Sequence, residues 1–261
     1  MATQIKFFTR SYADVGGNAA YTIDNNSTSV ENMFDRDNLT NYSSVGSDDT
    51  DTITLVIDLN DLITLENIII VNNNLKEFTI EGQDSLDAWN TLASETTNSE
   101  TVYNLIFTEA DYKKIRITMT KTMVADDQKN IQEIYVCKSL GQLSGFPEVK
   151  FKKDKNAVTK RLINGRVKIL YTKDSHDIEL NFKGYMGSDD RDLFITLTNY
   201  PYPFLVWICG GDEDQFSNHA DEGFREEDIY LCAVDKGFSN KYTDNYYKAG
   251  MNAKLRLVEV G

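Results

Sequence analysis

The chain has 261 residues, with 27 Lys/Arg against 41 Asp/Glu, a formal net charge of −14 and 41% hydrophobic residues. That composition belongs to a folded chain long enough for two domains of ordinary size. Its acidity disfavours a phosphate backbone as partner, and no stretch approaches bilayer-spanning length. Cys137, Cys209 and Cys232 are odd in number and lack CxxC spacing, so no disulfide framework is implied. The opening MATQIKFFTRSYADVGG has no uninterrupted apolar core of signal-peptide length, which points to synthesis in a cytoplasm.

From Thr52 to Cys137 short runs alternate or stay apolar at strand length: 52–59, 66–72, 77–82, 101–107, 113–120 and 131–137. Polar turns separate them, notably Asn72-Asn73-Asn74, and no helix of useful length intervenes. This pattern predicts an antiparallel β-sandwich. KSLGQLSGFPEV (138–149) reads as a linker, and charge shifts there from −12 over residues 1–145 to −2 beyond. The expected division is therefore 1–144 and 145–261.

The second half reads as α+β, mainly β. A hairpin or meander is predicted over 161–171 and 177–186, with Asn164-Gly165 as a tight-turn signal. SDDRDLFITLTNYP (188–201) is the helix candidate, with Ser188 at its start, acids in its first turn and Pro201 ending it. Leu193, Phe194 and Leu197 then share one face. Strands resume at 203–209, 227–234 and 253–260. KFKKDK (150–155) has no strong aromatic interleaving and reads as a solvated strand start, not a nucleic-acid patch.

FDRDNLTNYSS (34–44) concentrates hard oxygen donors behind one phenylalanine. An EF-hand starting at Asp35 fails, because Thr40 stands where Gly is required and Gly46 where Glu is required. The residues fit another order of pieces: NMFDRDNLTNYSS, TLVIDLN, ITLENIIIV, FTIEGQDSLDAWNTL, YKKIRITMT and IQEIYV. This set, over roughly residues 20–138, resembles the discoidin or coagulation-factor-5/8 type C family of galactose-binding-like sandwiches (jelly-roll). Arg36 stands where that family has Gly, Tyr42 where it has Trp, and Asn60 where Gly follows Asp58-Leu59. The resemblance implies a structural calcium held by Asp35, Asp37, Thr40 and Glu133. The alternative is that Asp35 and Thr40 only close the turn. It also implies glycan contacts from loops at one end, with Asn72, Asn73, Asn74, Asp126 and Asp127 as candidates and Trp89 as a packed hairpin residue.

In the second half, Asp212, Glu213, Asp214 and His219 lie in a Gly-rich acidic loop, without a pattern that specifies a pair flanking one bond. Cys209, His219 and Cys232 lack zinc spacing. No nucleophile elbow or P-loop is present, so the expectation is a protein that is not an enzyme. PFLVWICGG, FREEDIYL and LRLVEV, within residues 160–261, resemble the C-terminal portion of bacteriophage minor tail proteins. That resemblance implies a virion part that packs against other tail proteins and copies of itself, through residues such as Trp207, Phe224, Arg225 and Tyr230. The expected role is a tail component whose first domain decorates the surface, stabilises neighbours or touches host glycans. The rival is a non-catalytic carbohydrate-binding module.

Overall fold

The computed structural model describes residues 5–24, 29–37, 39–45, 51–144, 147–154, 157–161, 167–171, 175–182, 188–208, 229–235, 239–242 and 251–260. It is mostly β, as expected, and its chain forms two compact units: Ser11–Ser139, and Met1–Arg10 with Leu140–Gly261. The first ten residues thus belong with the second half, and the division falls at 139/140 instead of 144. The reason is pairing. β1 (Lys6–Thr9) lies in the second unit's sheet.

In the sandwich unit the strands are β2 (Ala20–Ile23), β3 (Tyr42–Ser43), β4 (Ile53–Val71), β5 (Leu75–Gln83), β6 (Trp89–Glu95), β7 (Tyr103–Thr122), β8 (Asn130–Ile131) and β9 (Glu133–Cys137), with a 3-10 turn at Val30–Met33. β4 and β7 each merge two predicted strands into one. Their antiparallel pairing breaks register between Asp58 and Ile63, where Asn60 takes a positive φ of 60°. Before the break β4 also pairs with β2, and after it with β9. These strands, with β5 and β6, make one six-stranded sheet. Ile53, Leu55, Ile57 and Leu59 alternate inward as the period-two pattern requires, and Ile68 and Ile70 join the same core from the second half of β4. β6 pairs with β5. Gly82 sits within β5 because Tyr112 lies over it, and a Cβ there would meet that ring at 2.4 Å.

The second unit holds β10 (Ser139–Gln142), β11 (Glu148–Asp154), β12 (Ala157–Arg161), β13 (Val167–Tyr171), β14 (Ser175–Phe182), α1 (Ser188–Asn199), β15 (Phe204–Trp207), β16 (Ile229–Val234), β17 (Ser239–Tyr242) and β18 (Met251–Glu259). Its main sheet runs β10-β1-β15-β16-β18-β14-β11, with β17 beside β18. A hairpin is present, but as β12 paired with β13; the strand predicted at 177–186 is β14, which pairs with β11 and β18 and not with 161–171, and Asn164-Gly165 lie outside the described residues. α1 matches the helix candidate. Phe194 and Leu197 are buried on the predicted face, and Asp190 in the first turn accepts hydrogen bonds from the Ser144 backbone N–H (2.7 Å) and hydroxyl (3.0 Å). Ile5, Phe7, Leu143, Ile178, Leu180, Phe204, Val206, Leu255 and Leu257 complete that core. Cys137 and Cys232 are buried free thiols.

Candidate functional site

The first loop is anchored by Phe34, which is buried and stacks on Tyr21 with ring centroids 4.2 Å apart. From that anchor the chain turns on its own side chains. The Asp35 carboxylate accepts from the Asp37 backbone N–H at 2.9 Å and from the Thr40 hydroxyl at 2.9 Å. Asp37 Oδ1 accepts from Leu39 N–H, and its carbonyl from Thr40 N–H. Asp35 and Thr40 thus close the turn, as the alternative reading expects, with Asp37 adding bonds of its own. Tyr42, where the family resemblance expects Trp, is fully buried and its hydroxyl is pushed up to about 12 by desolvation. Arg36 and Asn60, the two positions where Gly was expected, both have positive φ, 58° and 60°. The backbone requirement that favours Gly survives, at a cost of roughly 1 kcal/mol for a residue with a Cβ.

Glu133 is the unusual member. It is 4% exposed at the start of β9, and neither carboxyl oxygen has a hydrogen-bond partner of good geometry. Burial, then the charge of Asp35 and a hydrogen bond toward it, then the charge of Asp14, push its pKa from the ordinary 4.5 to about 9; the Arg36 backbone N–H opposes this only in part. Asp14 is itself buried, with Arg36 Nε 3.4 Å from its carboxylate. The sequence reading missed Asp14, whose surroundings SYADVGG carry no ligand signal. Among the described residues no three His, Cys, Asp or Glu side chains draw close enough to hold a metal ion by themselves. Of the residues expected to hold calcium, Asp35 and Glu133 are the two carboxyl groups brought together, as a pair of hard oxygen donors.

At one end of the sandwich the structure gathers the other predicted group. Asn73 is buried; its side-chain N–H donates to the carbonyls of Thr101 (2.8 Å) and Glu100 (3.3 Å), and its Oδ1 accepts from Leu75 N–H. Asn74 donates to the Gln128 carbonyl (2.6 Å) and to Asp127 Oδ2 (3.2 Å), and accepts from Asn130 N–H (2.8 Å). Ser44 and Lys129 exchange backbone and hydroxyl bonds beside them, with the Lys129 side chain fully buried. These residues frame the loops. Asn72, at φ 47°, Asp126 and Gln128 remain exposed on that frame, with Asp127 half-buried and Asn72 Nδ2 donating to Gln132 Oε1. Gln128, Asn130 and Gln132 escaped the sequence reading because only long-range pairing brings them to the Asn triplet. Asn73→Ala takes the Oδ1 acceptor from the buried Leu75 N–H and one donor each from the Thr101 and Glu100 carbonyls, which keep the Asn73 backbone N–H and Asn98 Nδ2; it should destabilise the sandwich by roughly 1–3 kcal/mol. A urea melt reads the loss directly.

Trp89 packs as expected, with the Arg116 guanidinium 4.2 Å over its ring and Glu81 2.6 Å from Arg116 Nε. One face of the indole is thereby taken. In the second unit Trp207 has no exposed surface, which makes it a core residue and not a face for a neighbouring subunit. Tyr230 is partly buried, edge-on to His176, which lies 2.6 Å from Glu259. Phe224, Arg225, Cys209, Asp212, Glu213, Asp214 and His219 lie outside the described residues.

The sandwich unit is thus built of antiparallel sheets in a sandwich-like arrangement, with an acidic first loop and a polar loop end. Solved structures similar to the chain include chitosan-binding module 1 from a chitosanase/glucanase of Paenibacillus sp. IK-5, at 17% identity over 48% of this chain and 97% of that one, TM-score 0.42. The Clostridium perfringens module CpGH89CBM32-5 in complex with GalNAc-β-1,3-galactose matches at 9% identity over 46% and 94%, TM-score 0.39. A GH29 fucosidase of Ruminococcus gnavus in complex with fucose matches at 17% identity over 49% of this chain and 26% of the enzyme, TM-score 0.42. No protein-family model and no curated protein matches the chain. Nothing in the comparisons supports the tail-particle role expected from the second half.

Proposed function

We propose that Ser11–Ser139 acts as a non-catalytic carbohydrate-binding module. Its ligand meets the loop end at Asn72, Asp126, Asp127 and Gln128, and Asp35 with Glu133 holds a calcium ion behind the first loop. The observation that carries this reading is the hydrogen-bonded frame made by Asn73, Asn74, Asn130 and Ser44, which fixes exposed amides and carboxylates at one end of the sandwich. Planar polar groups suit adjacent sugar hydroxyls, and a frame ordered in advance lowers the entropy lost on binding. Val124, 65% exposed on the same connection, adds an apolar surface for the C–H side of a sugar. Calcium is supported by the buried Glu133 carboxyl beside Asp35, neither of whose oxygens has a hydrogen-bond partner of good geometry.

The test is a glycan array followed by calorimetry on the full chain and on Asn72→Ala/Gln128→Ala. Both side chains are exposed; Asn72→Ala adds roughly 1 kcal/mol of strain at φ 47°, and a thermal melt verifies that the double variant stays folded. A glycan bound by the parent should bind about tenfold more weakly to the double variant, the effect of one or two lost hydrogen bonds. A flat array, or equal affinity, overturns the assignment. The tail-assembly role rests on the sequence resemblance of the second half alone; no described contact favours it.

A further inference from the structure

Where α1 ends, the chain runs Tyr200-Pro201-Tyr202-Pro203 into β15 and forms, with Val234 at the end of β16 and Asp235 after it, a cleft of about 420 Å³. That volume lies in the range of small-molecule sites. The wall is stiff. Two prolines fix φ on either side of Tyr202. The Tyr200 ring stands edge-on to Tyr202 at 6.0 Å and to Phe204 at 6.2 Å, which ties the segment to the buried core. Tyr202 is nonetheless 67% exposed. A held but uncovered aromatic ring is a ready stacking surface.

Opposite polarity comes from Asp235. Its carboxylate is 3.3 Å from Arg256 Nη1, its backbone N–H donates to the Arg256 carbonyl at 3.0 Å, and Arg256 Nη2 is in turn 2.7 Å from Asp177. Asp235 is therefore oriented by Arg256, which it shares with Asp177. Such a carboxylate offers strong hydrogen-bond acceptors to a hydroxyl donor. An aromatic face beside an oriented acceptor is complementary to a pyranose, whose C–H face is apolar and whose hydroxyls donate. A polyproline segment would use the aromatic ridge but give the carboxylate no donor, since proline has no N–H.

We infer that the second unit carries its own saccharide-binding cleft, in which a neutral hexose stacks on Tyr202 and donates hydroxyls to Asp235. This goes beyond the sandwich reading and stands or falls separately. The test titrates galactose, glucose, N-acetylglucosamine and their β-linked trisaccharides into the full chain, following ligand signals by saturation-transfer NMR and affinity by calorimetry. At least one sugar should bind. Its affinity should fall tenfold or more in Tyr202→Ala, persist in Tyr202→Phe, fall in Asp235→Asn, and persist in Asn72→Ala/Gln128→Ala. Tyr202 is exposed, so its loss leaves folding intact, as a thermal melt would verify. Sugar binding that disappears only in the Asn72/Gln128 variant keeps the sandwich reading and overturns this one. No binding by any of these sugars overturns it too, as does Tyr202-dependent binding of a decaproline peptide in their place.

Discussion

Replacing Glu133 by glutamine should flatten the pH dependence of sandwich stability in metal-free protein. In the folded chain Glu133 keeps its proton up to about pH 9, whereas in the unfolded chain it releases it near the ordinary 4.5. Across that window the folded state binds more protons, so stability falls as pH rises. The contribution is complete below about 4.5 and gone above about 9. Taken over the whole shift it is on the order of 5 kcal/mol. The amide introduced by Glu133→Gln is neutral at every pH and can donate to Asp35 as the protonated acid does. The variant should therefore match the parent at pH 5 and exceed it at pH 9, in urea melts with EDTA read by hydrogen exchange of β4 and β7 amides. Calcium should reverse the order. It replaces the proton between Asp35 and Glu133, so its stabilisation should grow with pH in the parent and be absent from the variant. Parallel pH profiles for the two proteins would show that Glu133 is already ionised at neutral pH.

The second large effect concerns the first ten residues. Residues 140–261 expressed alone should fail to fold cooperatively, whereas Met1–Arg10 joined to them by a short Gly/Ser linker should fold. β1 pairs along its length with β15, Lys6 with Trp207 through Thr9 with Phe204, and is flanked by β10 on its other side. Ile5 and Phe7 are buried in the second unit's core, Phe7 edge-on to Phe204 at 6.1 Å. Without β1, the wholly buried β15 would become an open apolar edge, a template for aggregation. In the full chain Phe7→Ala should cost about 3–5 kcal/mol in the second unit's transition and leave that of the sandwich unchanged. Calorimetry separates the two. Cooperative melting of 140–261 alone, at the temperature seen in the full chain, would contradict this division.

The sequence by itself determined most of what depends on neighbours along the chain. Period-two alternation placed Ile53, Leu55 and Ile57 on one face, the 188–201 pattern placed Phe194 and Leu197 on another, and the spacing of Asp35 and Thr40 specified a self-closing turn. Arg36 and Asn60, which looked like departures from the family, proved to keep the backbone conformation that glycine serves. Tertiary structure decided the rest. Alternation says which side of a strand is buried, not which strand lies beside it, so β1 could not be assigned to a sheet completed two hundred residues later. Burial depth is likewise a property of the assembled core. It turned Asn73 from a ligand candidate into a loop support, made Trp207 internal, and set Glu133 beside Asp35 and Asp14, where desolvation and like charge favour a proton or a cation. An acid in IQEIYVC carries no local mark of that environment, because the groups that create it arrive from the two ends of the unit.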